Sequence, residues 1–154
     1  MTAGRSGIPK VVGILMIIFA SLGLLFGLIG LAGNSGTGAM DGVAAWKTFR
    51  NMSLIFGIIG LGISVLHLVA GIQSIRYKAN APKLAVAYGA LNIVSQITFA
   101  VLFYAWLKPA LDKVPGASEL IGGMLVISLI IGVTWPIIVL ALMTRPGAKA
   151  ACTN

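Results

Sequence analysis

Asn51 to Ile75 is a run of twenty-five residues without a formal charge, and crossing about 30 Å of hydrocarbon takes a helix of roughly 20 apolar residues. Within the run, Ser53, Gly57, Gly60, Ser64, His67, Gly71 and Ser74 recur at alternating spacings of four and three. On a helix that pattern falls on one stripe. No hydrophobic effect drives helices together in lipid, so close backbone approach at Gly and Ser and hydrogen bonds between side chains must supply the association energy. The stripe is therefore expected to be a packing seam, with Gly57, Gly60, Ser64 and Gly71 as its points of closest approach.

Composition agrees with a chain built for the bilayer. Of its 154 residues, 58% are hydrophobic and 9% charged, against about 25% charged in soluble domains, and the mean hydropathy is +1.03. Four uncharged runs, at 11–33, 51–75, 84–107 and 120–144, are each long enough to span. The expectation is an all-α, multi-pass protein: one four-helix transmembrane bundle whose first partner is the lipid bilayer. The first run follows Arg5 and Lys10 as a secretory signal would, but it exceeds twenty residues, whereas a signal core has about 7 to 15, so it is read as a retained span.

The net charge of +8 does not point to nucleic acid, because no continuous basic run or basic helix face exists and the charges stand at the edges of spans. Arg5, Lys10, Arg76, Lys78, Lys83, Arg145 and Lys149 share one side of a four-span arrangement with no acid among them. Lys47, Arg50, Lys108 and Lys113 share the other with Asp41, Asp112 and Glu119. Lys and Arg near span ends are retained on the cytoplasmic side, which predicts both termini there. Trp46, after the GNSGTGAM loop, and Trp106, at the end of the third span, are expected as interfacial anchors at the headgroup level.

The first span repeats the four-three spacing with Gly13, Met16, Ala20, Gly23, Gly27 and Gly30, and Gly23 with Gly27 forms a GxxxG pair. Two matched stripes in adjacent helices predict a close antiparallel hairpin, with Leu24 and Leu61 turned to lipid. In the third span Ala85, Gly89, Asn92, Gln96, Phe99 and Phe103 keep the same spacing. His67, Asn92, Gln96 and Thr134 are the polar groups that hydrocarbon tolerates least and are expected to face inward at a shared depth. A His67 to Asn92 hydrogen bond, extended to Thr134 or Gln96, is the predicted clasp, worth on the order of 1 kcal/mol per contact. Pro136 is expected to bend the fourth helix.

Chemistry finds few handles. No span contains Asp, Glu, Lys or Arg, so the mid-membrane carboxylate that rotary-ATPase proteolipids and small multidrug transporters need is missing. One histidine without acid or thiol beside it completes neither a metal site nor a nucleophile, base and orienter set. Cys152 is the only cysteine; it excludes an internal disulfide or redox pair and reads as a plain thiol. No enzyme, metal site or cofactor is predicted.

Pro9-Lys10-Val11-Val12-Gly13, Lys83-Leu84 and Gly89-Ala90-Leu91-Asn92-Ile93-Val94-Ser95 resemble the corresponding stretches of the membrane-spanning four-domain tetraspans, the family that includes the B-cell surface marker. The resemblance implies a helical tetraspan that oligomerises and accompanies other membrane proteins. It covers under a fifth of the chain, and the short outer loops here, with no disulfide in the second, depart from some members. The functional expectation is a non-enzymatic integral subunit or scaffold that stabilises a larger membrane complex or a homo-oligomer. The alternative is a small channel or transporter lined by Ser64, His67, Asn92, Gln96 and Ser128.

Overall fold

The structure, a computed structural model, describes residues 6–33, 44–113 and 116–153; at 44–46, 110, 117 and 118 it describes the backbone only. The described chain is helical throughout: α1 (Ile8–Gly33), α2 (Ala44–Ile75), α3 (Ala81–Leu102), a π-helical turn (Phe103–Leu107), α4 (Lys108–Leu111), α5 (Ala117–Met143) and α6 (Pro146–Ala151). Four segments, Ile8–Gly33, Lys47–Ile75, Ala81–Leu107 and Glu119–Met143, are long and apolar enough to cross a membrane. They exceed the uncharged runs mainly at their N-terminal ends, because a charge such as Lys10, Lys47 or Lys83 limits a hydropathy pattern without limiting a helix. Residues 34–43, including Asp41, and Arg5 lie outside the described residues.

The start of α1, the end of α2, the start of α3 and the end of α5 meet in one apolar core of Val12, Met16, Ala70, Ala81, Ala85, Tyr88, Val139, Met143 and Cys152. The first and last spanning helices therefore begin and end at the same end of the bundle. Lys10, Arg76, Lys78, Lys83, Arg145 and Lys149 all belong to this end, called the basic end below. A second core of Phe103, Leu107, Leu111 and Leu125, flanked by Phe49, Phe99, Ile121 and Leu129, closes α2 to α5 at the opposite end. No residue of α1 takes part in it.

Local chemistry accounts for the turns. At the end of α2, the Lys78 amide donates to the Gln73 carbonyl at 3.0 Å and the Tyr77 amide to the Ser74 carbonyl at 3.1 Å. With Tyr77 at φ 52°, this is the paired-bond motif that stops a helix with one left-handed residue, and it lets α3 begin four residues later. Lys108 and Pro109 continue the helix beyond the third uncharged run. Pro109 offers no amide hydrogen and crowds the carbonyl four residues back; the turn widens, and the Lys108 amide reaches the Phe103 carbonyl five residues away. At the other end the chain does not simply leave the bundle: α6 folds back and buries Ala148, Ala151 and Cys152 against the basic-end core.

Extensive packing joins α1 to α2, α2 to α3 and α3 to α5, whereas α1 and α5 scarcely touch. The ring of helices is open on that one side, and the outward faces carry exposed Ile18, Leu25, Ile58, Val94 and Ile130, as lipid-facing helices do.

Candidate functional site

Small residues bring α1 and α2 together, with a different pairing of partners from the one the stripes predict. A Cβ added to Gly13 would lie 2.7 Å from the Gly71 carbonyl oxygen, and one on Gly71 would lie 3.0 Å from the Gly13 carbonyl and from the Met16 Cβ. Backbone meets backbone there. Further along, Gly23 faces the Ser64 hydroxyl at 3.0 Å, Gly27 faces Leu61 at 2.9 Å, and Gly57 faces Leu31 at 2.9 Å. Leu61 therefore covers Gly27 rather than turning to lipid. Gly30 and Gly60 have nothing within 4 Å and are not contact points of the seam. The geometry of the stripe explains the split: a three-residue step turns a helix back by about 60° and a four-residue step forward by about 40°. Gly57, Ser64 and Gly71 thus stay toward α1, while Gly60 and His67 turn into the bundle.

The turned-in residues line a cleft of about 650 Å³ between the two cores. Its floor, toward the basic end, is a string of rings that draws on all four spanning helices. Phe19 of α1 packs on Trp135 of α5 with centroids 4.8 Å apart. The Trp135 indole Nε1–H donates to His67 Nε2 of α2 at 3.2 Å, and the His67 imidazole stacks on Tyr88 of α3 at 3.8 Å, with planes 9° apart. An indole nitrogen can only donate. His67 Nε2 therefore accepts through its ring lone pair, an arrangement that requires the neutral imidazole with its proton on Nδ1. Counted from the helix ends, the string lies roughly 10 to 17 Å inside the basic end at 1.5 Å per residue.

One turn farther in, the Asn92 amide Nδ2 donates to the Gly132 carbonyl at 3.0 Å. Gly132 stands four residues before Pro136, the one proline inside α5, and Pro136 has no amide hydrogen to return to that carbonyl. The side chain from α3 supplies the missing donor. Glycine at 132 also lets Gln96 pack close to α5, since a Cβ there would lie 2.6 Å from Gln96 Nε2.

The predicted clasp between His67 and Asn92 is thus not formed: each reaches α5, one through Trp135 and the other through the Gly132 carbonyl. Thr134 is not part of the group either. It is exposed, and its hydroxyl donates back to the Ile130 carbonyl at 2.6 Å, which satisfies it while it faces outward. Gln96 lines the cleft beside His67 and Asn92. Trp106 points away from the bundle at 71% exposure, as an anchor would; the side chain of Trp46 lies outside what the structure describes.

Tyr88, Trp135 and Gly132 were not picked out from sequence. A signal existed for two of them: an indole N–H in hydrocarbon must find an acceptor, and the residue four before a membrane proline has a carbonyl in need of a donor. The cleft walls combine hydroxyls, amides and one neutral imidazole with Phe19, Phe26 and Ile131, and no Asp, Glu, Lys or Arg lines it. Among the described residues, no group of three His, Cys, Asp or Glu could hold a metal ion. Such a site can hydrogen-bond and presents no charged side chain. Comparison of the chain with protein-family models, curated proteins and solved structures finds no match.

Proposed function

We propose that this chain is a non-enzymatic integral membrane subunit or scaffold, crossing the bilayer four times with both termini cytoplasmic, that associates with other membrane proteins or with further copies of itself. The observation that carries the reading is the open ring. α1 packs along α2 but scarcely touches α5, and its outer half leaves Leu22, Leu25, Phe26, Leu28 and Ile29 exposed. In a bilayer those residues gain nothing from lipid that another helix could not match, and helix packing adds dispersion and close backbone contact. The topology rests on the basic end, where six described Lys and Arg gather without an acid. The resemblance to four-domain tetraspans points the same way.

Purification from the native membrane in mild detergent, followed by mass spectrometry of the intact species, tests the proposal. A stoichiometric partner or a defined homo-oligomer is the expected result. A pure monomer that carries ions across liposomes would replace it with the second reading, a small channel or transporter. That reading has in its favour the cleft lined by Ser64, His67, Asn92, Gln96 and Ser128, and against it the apolar core that fills the basic end.

A further inference from the structure

The turn between α2 and α3 holds cations that the fold leaves unanswered. Arg76, Lys78 and Asn80 are exposed and Gln73 is half-buried, and with Ile72 and Ala79 they line one pocket of about 290 Å³. Neither the Arg76 guanidinium nor the Lys78 ammonium has a side-chain partner among the described residues. The described acids, Asp112 and Glu119, stand at the opposite end of the bundle. Two cations in one concavity with no counter-charge repel each other, and an anion that enters relieves the repulsion.

The surroundings of the pocket say which anion. Arg76 ends a stripe of α2 that runs Val65, Val69, Ile72 and Arg76 at spacings of four, three and four, and the three apolar members are exposed on the face that meets lipid. From Arg76 to Val65 is about 16 Å at 1.5 Å per residue, close to one leaflet of a hydrocarbon core about 30 Å thick. The pocket thus stands at the level of phospholipid heads, with an apolar track of acyl-chain length leading from it. A soluble anion would meet the cations but leave the track unused, and a zwitterionic head would bring its own cation to a pocket that is already positive. Arg presents a planar fork of donors that matches phosphate oxygens, Lys adds a compact charge, and the Gln73 and Asn80 amides can donate beside them.

We propose that this pocket binds a phospholipid of net negative charge, its phosphate held by Arg76 and Lys78 and its acyl chains lying along Ile72, Val69 and Val65. The assignment needs only that the chain spans a bilayer; it is independent of which side the basic end faces and of what the chain assembles with.

The test uses the full chain in phosphatidylcholine liposomes with two photoreactive probes, phosphatidylglycerol and phosphatidylcholine, that carry the same diazirine-bearing acyl chain. After photolysis and digestion, adducts are located by mass spectrometry. The expected result is phosphatidylglycerol labelling on Val65, Val69 and Ile72, competed away by unlabelled phosphatidylglycerol but not by inorganic phosphate, with the phosphatidylcholine probe failing to match it. Arg76→Gln with Lys78→Gln should lower the competable yield by at least about tenfold, since each cation near a membrane surface contributes roughly fivefold. Arg145→Gln with Lys149→Gln removes the same charge from the basic end outside the pocket and should change the yield by less than about twofold, because salt screens distant charges. Equal labelling by the two probes would mean ordinary boundary lipid, competition by inorganic phosphate would mean a site for the free ion, and competable labelling away from the stripe would place the chains elsewhere. Equal losses in the two double variants would assign the preference to the charge of the whole basic end. Any of these results would overturn the proposal, the first three on the parent protein however the variants fold.

Discussion

Pro136 interrupts the ladder of α5, and the side chain that repairs the break comes from another helix. Because the Asn92 amide donates to the Gly132 carbonyl that Pro136 leaves without a donor, the two residues should be energetically coupled although their side chains need not touch. Asn92→Leu is expected to lower stability by about 1 to 3 kcal/mol, the cost of an unsatisfied buried group. In a Pro136→Ala background the new amide hydrogen restores the helical bond, and the same substitution should cost at least about 1 kcal/mol less. Thermal unfolding of the four proteins in detergent measures this; equal costs in both backgrounds would sink the coupling. His67 is held by a second such bond. His67→Leu strands the Trp135 N–H and should destabilise by about 1 to 3 kcal/mol, whereas His67→Gln keeps an acceptor and should cost less. If the two variants melt alike, the bond to Trp135 contributes nothing.

Between elements, the decisive feature is which glycines meet backbone. Gly13→Ala would push a methyl against the Gly71 carbonyl at 2.7 Å, and neither helix can yield without parting from the other. A loss of about 1 to 3 kcal/mol is expected. Gly30→Ala and Gly60→Ala have nothing within 4 Å and should stay within about 0.5 kcal/mol of the parent. The seam also makes a geometric prediction. The Cβ built on Gly23 lies 3.9 Å from the Ser64 Cβ, close to the roughly 3.8 Å found across a disulfide. A Gly23→Cys, Ser64→Cys pair in a Cys152→Ala background should therefore oxidise readily, and a Gly30→Cys, Gly60→Cys pair poorly. Similar yields for the two pairs would disprove this register of α1 on α2.

At the scale of the whole molecule, an apolar core closes each end of the bundle, but α1 joins only the basic-end core, and the flank between α1 and α5 is open beyond it. α6 belongs to the tight basic end, where Cys152 is buried and burial pushes its thiol up from the ordinary value. Fewer thiolates at neutral pH, behind a packed helix, mean slow alkylation. Maleimide should label native protein many times more slowly than detergent-denatured protein at pH 7, and the native rate should still be rising at pH 9. Rapid native labelling would show that α6 does not dock as described. Reporter fusions at the two ends of the chain check the proposed orientation; a terminus found outside the cytoplasm would overturn it.

Four spans, their approximate bounds and the segregation of basic residues were legible in the chain alone, because length against bilayer thickness and charge at span ends are properties of each segment by itself. The presence of small-residue seams was legible for the same reason: spacing on one helix decides which side chains share a stripe. Which stripe member meets which neighbour was not. The drift of the four-three pattern around the helix leaves Gly71 against Gly13 and turns Gly60 and His67 into the cleft, a division set by the crossing of two helices. Asn92, Gln96, His67 and Thr134 read as one polar group because depth along a helix can be counted, but their directions cannot. Only the packed bundle decided that Asn92 serves the carbonyl freed by Pro136, that His67 accepts a hydrogen bond from the Trp135 indole, and that Thr134 faces outward. A hydrogen bond between helices depends on the relative rotation of both, and that rotation is a property of the tertiary structure.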